Sequence, residues 1–338
     1  MRWTALALLA LAHLAGATSD LRLDLATLAT GVNVDLRYFQ SDACELQAAD
    51  LCVGGPGARR LLRFNVFAVN QGPDDLVLGV ASLDDPMWVY SACHQHFHFE
   101  SFARYELRPR GGGATILGQK RSFCVEDTRA DGAVTAARYC CRASDTCALP
   151  GVQGIQVGWG DLYANTLPCQ WVDITDGVPP GAYDLCVFLN TAGLLPDSDP
   201  SNDSGCVPVT IDGPPAGTPA PRVTVRIPTA RAKRRAGRPL HVAWQRRVRG
   251  KILFQEVWLS RDGGATYQLV AGGPDVPLTR RAYTFVVPPG TATDSARVRA
   301  MARELAIADR VTLPGLLRGD ALLSALSSAD IGACPDPW

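Results

Sequence analysis

Leu61-Leu62-Arg63-Phe64-Asn65-Val66-Phe67-Ala68-Val69-Asn70 alternates apolar and polar residues and stops at Gln71-Gly72-Pro73, so it reads as a strand running into a turn. Outward from it, Phe97 to Leu107, Trp171 to Ile174 and Tyr183 to Asn190 look strand-like as well. Gly- and Pro-rich connections separate them, among them Arg110-Gly111-Gly112-Gly113 and Val178-Pro179-Pro180-Gly181. Long helical periodicity is missing, which predicts a mainly β, β-sandwich-like fold with long loops. Of eleven cysteines, ten lie between Cys44 and Cys206, and an even set of this kind in an exported chain reads as a disulfide framework pinning those loops. Cys334 is left over near the C-terminus, as a free thiol or an intermolecular link.

Export is itself a reading of the N-terminus. Arg2, the apolar run from Ala5 to Leu14 and the small-residue stretch Ala15-Gly16-Ala17 read as a signal peptide over residues 1–17, which predicts a secreted, extracellular protein. No apolar stretch is long enough to span a membrane. The net charge of zero argues against a nucleic-acid or membrane-surface partner recruited by bulk electrostatics.

Residues 18–211 form the first expected domain, and residues 212–221, DGPPAGTPAP, are a linker stiffened by four prolines. Beyond it cysteine vanishes until Cys334, and Lys and Arg rise between Arg226 and Lys251. Short strands are expected at even spacing: Val223–Ile227, Leu240–Trp244, Phe254–Leu259, Tyr267–Val270, Tyr283–Val287 and Ala296–Ala300. They predict a smaller β-sandwich over residues 222–302, followed by a tail over 303–338. The hairpin turn from Ser260 to Tyr267 resembles the S-x-D-x-G-x-T-[WY] turn of immunoglobulin-like and fibronectin-like modules of secreted bacterial proteins, which implies a docking role on a surface or polymer. The basic run Arg231-Ala232-Lys233-Arg234-Arg235 reads as a solvated turn.

The chemistry concentrates in Cys93-His94-Gln95-His96-Phe97-His98. Imidazoles at i, i+2 and i+4 of a strand share one face, so His94, His96 and His98 are expected to converge on a metal ion. Three imidazoles leave room for water or substrate. They suit zinc, copper, iron or nickel, and the residues alone keep copper and zinc both open.

The sequence around them carries a family resemblance. Trp88-Val89-Tyr90-Ser91-Ala92-Cys93-His94-Gln95-His96-Phe97-His98 resembles the copper-binding motif of lysyl oxidases, W-x-x-x-C-H-Q-H-[YF]-H. Gly118-Gln119-Lys120-Arg121-Ser122-Phe123-Cys124-Val125-Glu126-Asp127-Thr128 is similar to their G-x-K-x-S-F-C-L-E-D-T. Tyr163 followed by Cys169-Gln170-Trp171-Val172-Asp173-Ile174-Thr175-Asp176 looks like their Y-x5-C-Q-W-I-D-I-T-D, and Pro196-Asp197-Ser198-Asp199-Pro200-Ser201-Asn202-Asp203 their P-E-S-D-Y-T-N-N. Four motifs in one order are specific, and they cover about Asp20 to Ile211.

What the resemblance implies is concrete. Copper would sit on His94, His96 and His98. Lys120 and Tyr163 would be the precursors of lysine tyrosylquinone, which oxidises a primary amine or peptidyl lysine with O2 to an aldehyde, ammonia and hydrogen peroxide. A calcium site is implied at Asp20, Leu21, Asp197, Asp199, Asn202 and Asp203, whose hard oxygen ligands suit that ion. The family pattern implies disulfides Cys44–Cys93, Cys52–Cys169 and Cys124–Cys140; elimination then leaves Cys186–Cys206 and Cys141–Cys147. Asp173 and Asp176, near Tyr163 in sequence, are candidates for the general base, with Glu126 and Asp127 no better placed. Tyr90, where many members carry a histidine, and the segment Phe99 to Tyr105 depart from the family pattern and bear on the substrate pocket. The rival readings are a zinc hydrolase built on the same histidines and a copper-binding surface protein in which no quinone forms.

Overall fold

The computed structural model describes residues 19–120, 122–133, 135–212, 222–227, 237–247, 252–260, 265–288, 297–304, 308–313, 315–318 and 322–325. The signal-peptide reading, most of the linker and of the turn after Ser260, the basic run, Arg121 and Cys334 lie outside them.

Regular structure among the described residues is almost entirely strand. The stretch Leu61 to Asn70 is not one strand but two, Gly57–Arg63 and Val66–Asn70, because the chain changes sheets at Phe64-Asn65. Gly57–Arg63 pairs with Asn33–Phe39 on one side and Trp171–Asp173 on the other. Val66–Asn70 instead lies between Leu21–Leu23 and Trp159–Tyr163, with Arg129–Ala130 at the far edge. The Asn65 side chain fixes the corner by accepting from the Asn165 amide at 2.7 Å. Gly160 is required in its strand, since a Cβ there would meet the Phe67 ring at 2.5 Å and the Ala68 carbonyl oxygen at 2.6 Å.

Phe97 to Leu107 also divides, into His96–Glu100 and Ala103–Pro109, at Ser101, whose φ is +61°. The first half lies between Trp88–Ser91 and Ser122–Phe123. The second joins a sheet of Ser204–Ile211, Gly181–Leu189, Ala103–Pro109 and Ile116–Leu117. The one α-helix among the described residues, Leu25–Thr30, starts at Asp24, whose carboxylate accepts from the Thr27 amide at 2.7 Å. These sheets enclose one core in which Phe64, Phe102, Tyr105 and Phe123 are fully buried and to which Tyr163 also belongs.

Among the described residues five disulfides pin the loops: Cys44–Cys93, Cys52–Cys169, Cys124–Cys141, Cys140–Cys147 and Cys186–Cys206. Two expected pairs are exchanged, Cys124–Cys140 and Cys141–Cys147. The reason is the strand Tyr139–Cys140: neighbouring residues of an extended chain face opposite sides, so Cys140 turns toward its own loop and Cys141 toward Cys124.

Beyond the linker, Arg222–Ile227, Pro239–Arg247 and Ala282–Val286 form one sheet, and Gln268–Gly272, Ile252–Ser260, Arg297–Glu304 and Ala308–Leu313 another. Val225, Val242, Trp244, Val257 and Leu259 belong to a second core. Glu256 joins the two regions by accepting from the Ala58 amide at 2.5 Å. No helix among the described residues is long and apolar enough to cross a membrane.

Candidate functional site

The three histidines converge, though not as the strand spacing alone predicts. His96 and His98 belong to the strand His96–Glu100, whereas His94 sits in the turn before it, and Gln95 between them has φ +59°. The turn is closed by the Gln95 amide, which donates to the Ser91 carbonyl at 2.8 Å, and by the His94 amide, which donates to Ser91 Oγ at 3.0 Å. The Cys44–Cys93 disulfide anchors it.

His98 Nε2 lies 3.0 Å from His96 Nε2 and 3.4 Å from His94 Nδ1. Ligands about 2.0 Å from a tetrahedral ion lie roughly 3.3 Å apart, so the spacing suits a metal. The outward nitrogens have partners that fix the rings: His96 Nδ1 is 3.0 Å from the His94 carbonyl oxygen, and His98 Nδ1 3.3 Å from Ser122 Oγ. Burial holds His96 and His98 neutral, down to about 4 and about 3, leaving their lone pairs free for an ion.

Asp50 is the residue that sequence reading missed. It is buried, accepts from Ser91 Oγ at 2.7 Å, and its other oxygen is 3.5 Å from His94 Nδ1 and 3.8 Å from His98 Nδ1. A signal for it existed. Cys44–Cys93 and Cys52–Cys169 tie both ends of the loop from 45 to 51 beside the histidines, so an acid within that loop must lie near them.

Lys120 and Tyr163, distant in sequence, are in contact. Lys120 Nζ lies 4.9 Å from the centroid of the Tyr163 ring and 4.8 Å from that of Phe123. The Tyr163 ring packs edge-on against Phe123, centroids 5.2 Å apart, and its hydroxyl donates to the Cys124 carbonyl. Burial lowers the Lys120 amine to about 8 against the opposing pull of Asp161 and Asp50. Asp161, a second missed acid, lies two residues before Tyr163 and so on its face of the strand. It is buried, accepts from Thr128 Oγ1 at 3.2 Å and the Glu126 amide at 3.3 Å, and acts electrostatically on the Tyr163 hydroxyl. Burial raises its carboxyl well above the usual range.

The acids suggested by sequence proximity are engaged elsewhere. Arg59 holds Asp173 at 2.8 Å and Asp176 at 3.0 Å. Glu126 accepts from the Cys141 amide at 2.9 Å, and Asp127 from the amides of Arg138, Tyr139 and Gln156. A cavity of about 250 Å³ runs from the histidines to Lys120, lined by Asp50, His94, His98, Glu100, Gln119 and Lys120 among others.

The acidic loop packs against the start of the described chain: Asn202 Nδ2 donates to Asp20 Oδ1 at 3.0 Å and the Leu23 amide to the Asn202 carbonyl at 3.1 Å. One oxygen each of Asp197, Asn202 and Asp203 is buried without a hydrogen-bond partner. Burial and the neighbouring Asp197 raise the Asp203 carboxyl to about 8. Asp199 accepts from Ser201 Oγ at 2.5 Å, and the Leu21 side chain is in the core, so only the Leu21 backbone could serve a cation.

The profile of the family described as Lysyl oxidase matches residues 38–214. Lysyl oxidase homolog 2 of Rattus norvegicus is 39% identical over 148 residues, which is 44% of this chain and 18% of that protein. The human homolog 2 is 38% identical over the same length and share of each, and homolog 3B of Danio rerio 41% identical over 149 residues, 44% of this chain and 17% of that protein. The match with these relatives spans about a fifth of their length. The β-1,2-glucanase structure from Parabacteroides distasonis superposes with a TM-score of 0.18 and 13% identity, over 85% of this chain and 34% of that one, too low to bear on the fold. The profile covers more than half of the 338 residues and includes the histidine triad, Lys120 and Tyr163: the chain belongs to the lysyl oxidase family.

Proposed function

We propose that the protein is a secreted copper amine oxidase that converts primary amines, peptidyl lysine included, to aldehydes with release of hydrogen peroxide and ammonia. The observation that carries this reading is Lys120 Nζ over the Tyr163 ring, 4.9 Å from its centroid, with Lys120 lining the same cavity as His94 and His98. Neither a zinc hydrolase nor a copper carrier needs that pair. A lysine tyrosylquinone made from it supplies the electrophilic carbonyl and electron sink for amine oxidation, with O2 as oxidant.

The chain's own residues do the rest. His94, His96 and His98 hold the copper, the His94 carbonyl and Ser122 keep the His96 and His98 rings in place, and Asp50 adds negative charge beside them. The apolar wall of Phe123 removes water from Lys120, so its amine loses its proton more readily and can act as a nucleophile. The Cys124 carbonyl orients the phenol of Tyr163, and Asp161, buried on the same face of the strand, is a carboxylate able to accept a proton there.

Two further assignments belong to this reading. Asp20, Leu21, Asp197, Asp199, Asn202 and Asp203 frame a calcium site, favoured by the unpartnered oxygens of Asp197, Asn202 and Asp203. Residues 222–302 form the fibronectin- or immunoglobulin-like module of a bacterial-type member and dock to a surface or polymer, a reading supported by the two sheets there, the second of which runs on to Ala308–Leu313, and by a core of their own. Secretion accords with five disulfides. The test is copper-loaded protein with phenylhydrazine and simple amines: a coloured adduct and peroxide are expected, and absence of both refutes the reading.

A further inference from the structure

The cavity beside Lys120 has a wall of hydrogen-bond acceptors. His96, His98 and Glu100 alternate along one strand and so share a face, and Ser122 on the neighbouring strand stands opposite Glu100. Lys120 precedes Ser122 by two residues, and Glu100, Gln119, Lys120 and Ser122 all line the cavity. Glu100 makes no side-chain hydrogen bond or ion pair among the described residues. Gln119 Oε1 is buried without a hydrogen-bond partner, and so is Asp50 Oδ1, whose side chain is 2% exposed. Asp50 is turned toward the histidines; Glu100 and Gln119 are left for a ligand.

Acceptors without donors call for a ligand rich in N–H groups, and a carboxylate among them calls for positive charge. A primary ammonium has both: three donors and one charge in a head that fits a cavity of about 250 Å³. We propose that Glu100, with Gln119 beside it, binds the ammonium of the incoming amine next to Lys120 and determines the preference for cationic substrates. As a claim about the substrate this rests on the amine-oxidase reading above. As a claim about ligand binding it does not.

The experiment therefore starts with protein made without copper, in which no quinone forms, titrated by NMR with n-butylammonium and with neutral n-butanol. The wild-type protein is expected to bind the ammonium at least tenfold more tightly than the alcohol. Glu100→Gln should weaken ammonium binding by about tenfold, the scale of a lost charge-assisted hydrogen bond. Glu100→Asp should restore most of it, and Gln119→Leu, about threefold weaker, supplies a second reading should Glu100→Gln not fold. In copper-loaded protein, Glu100→Gln should raise KM for butylamine by a larger factor than it slows adduct formation with phenylhydrazine, which is neutral at pH 7. Equal binding of ammonium by wild type and Glu100→Gln, or no preference over butanol, overturns the proposal. Ammonium binding lost in Glu100→Gln while no wild-type adduct ever forms upholds it and refutes the oxidase reading instead.

Discussion

The two halves of the site are assembled in opposite ways. The histidines come from five consecutive residues, so one turn and one strand bring their nitrogens to 3.0 and 3.4 Å. Lys120 and Tyr163 meet only because Ser122–Phe123 is stitched to the histidine strand while Trp159–Tyr163 runs in another sheet, with Phe123 packed between. A local site survives changes elsewhere in the fold. A site made by packing needs the whole core, and its chemistry is correspondingly easier to lose without losing the metal.

That contrast can be broken most sharply by removing one precursor. Tyr163→Phe and Lys120→Met should each abolish the phenylhydrazine adduct and amine oxidation entirely while bound copper, measured by atomic absorption, stays stoichiometric. Loss of copper together with the adduct would mean that the halves are not separable. Stripping copper from processed wild-type protein should conversely leave the adduct-forming group in place.

Next in size is the Cys44–Cys93 disulfide, whose loop has a sequence separation of 49. Replacing both cysteines by alanine should cost about 2–4 kcal/mol in denaturant unfolding. It should also loosen the His94 turn, so copper affinity falls while Lys120 and Tyr163 remain in contact.

Asp50→Asn tests the buried carboxylate beside His94 and His98. Copper affinity is expected to fall roughly 10- to 100-fold, in line with loss of a group behind a metal ligand. An unchanged affinity would show that Ser91 and Ser122 hold the rings by themselves.

The smallest effect is in the pH dependence of Lys120 in copper-free protein. Burial lowers its amine to about 8, so acylation with acetic anhydride should rise through that pH and not near the ordinary lysine value. The linkage has a definite sign. Between about 8 and the unfolded lysine value the unfolded chain holds the extra proton, so this residue makes the fold more stable as pH rises through that window and penalises it fully below. Lys120→Met should remove this slope.

How much was legible in the sequence follows the same division. The triad was legible because its spacing is local, and only the place of His94, in a turn and not on the strand, needed three dimensions. The pairing of Lys120 with Tyr163 rests on family resemblance, for nothing in periodicity joins residues from separate sheets. The exchange at Cys140 and Cys141 turned on which face each adjacent cysteine takes, which a spacing argument does not resolve. Asp161 and Glu100 went unread for a similar reason: single acids acquire meaning only through what the fold buries beside them. The strand from Leu61 to Asn70 misled because both of its faces are buried, which hides the corner at Asn65.

The central claim is that Lys120 and Tyr163 become one cofactor under copper. Mass spectrometry of a proteolytic digest of copper-loaded, aerated protein tests it most directly. The account predicts that the peptides carrying Lys120 and Tyr163 leave the digest as a single cross-linked species, absent from Lys120→Met and from protein made without copper. Recovery of the two peptides separate and unmodified from protein with full copper occupancy would contradict it.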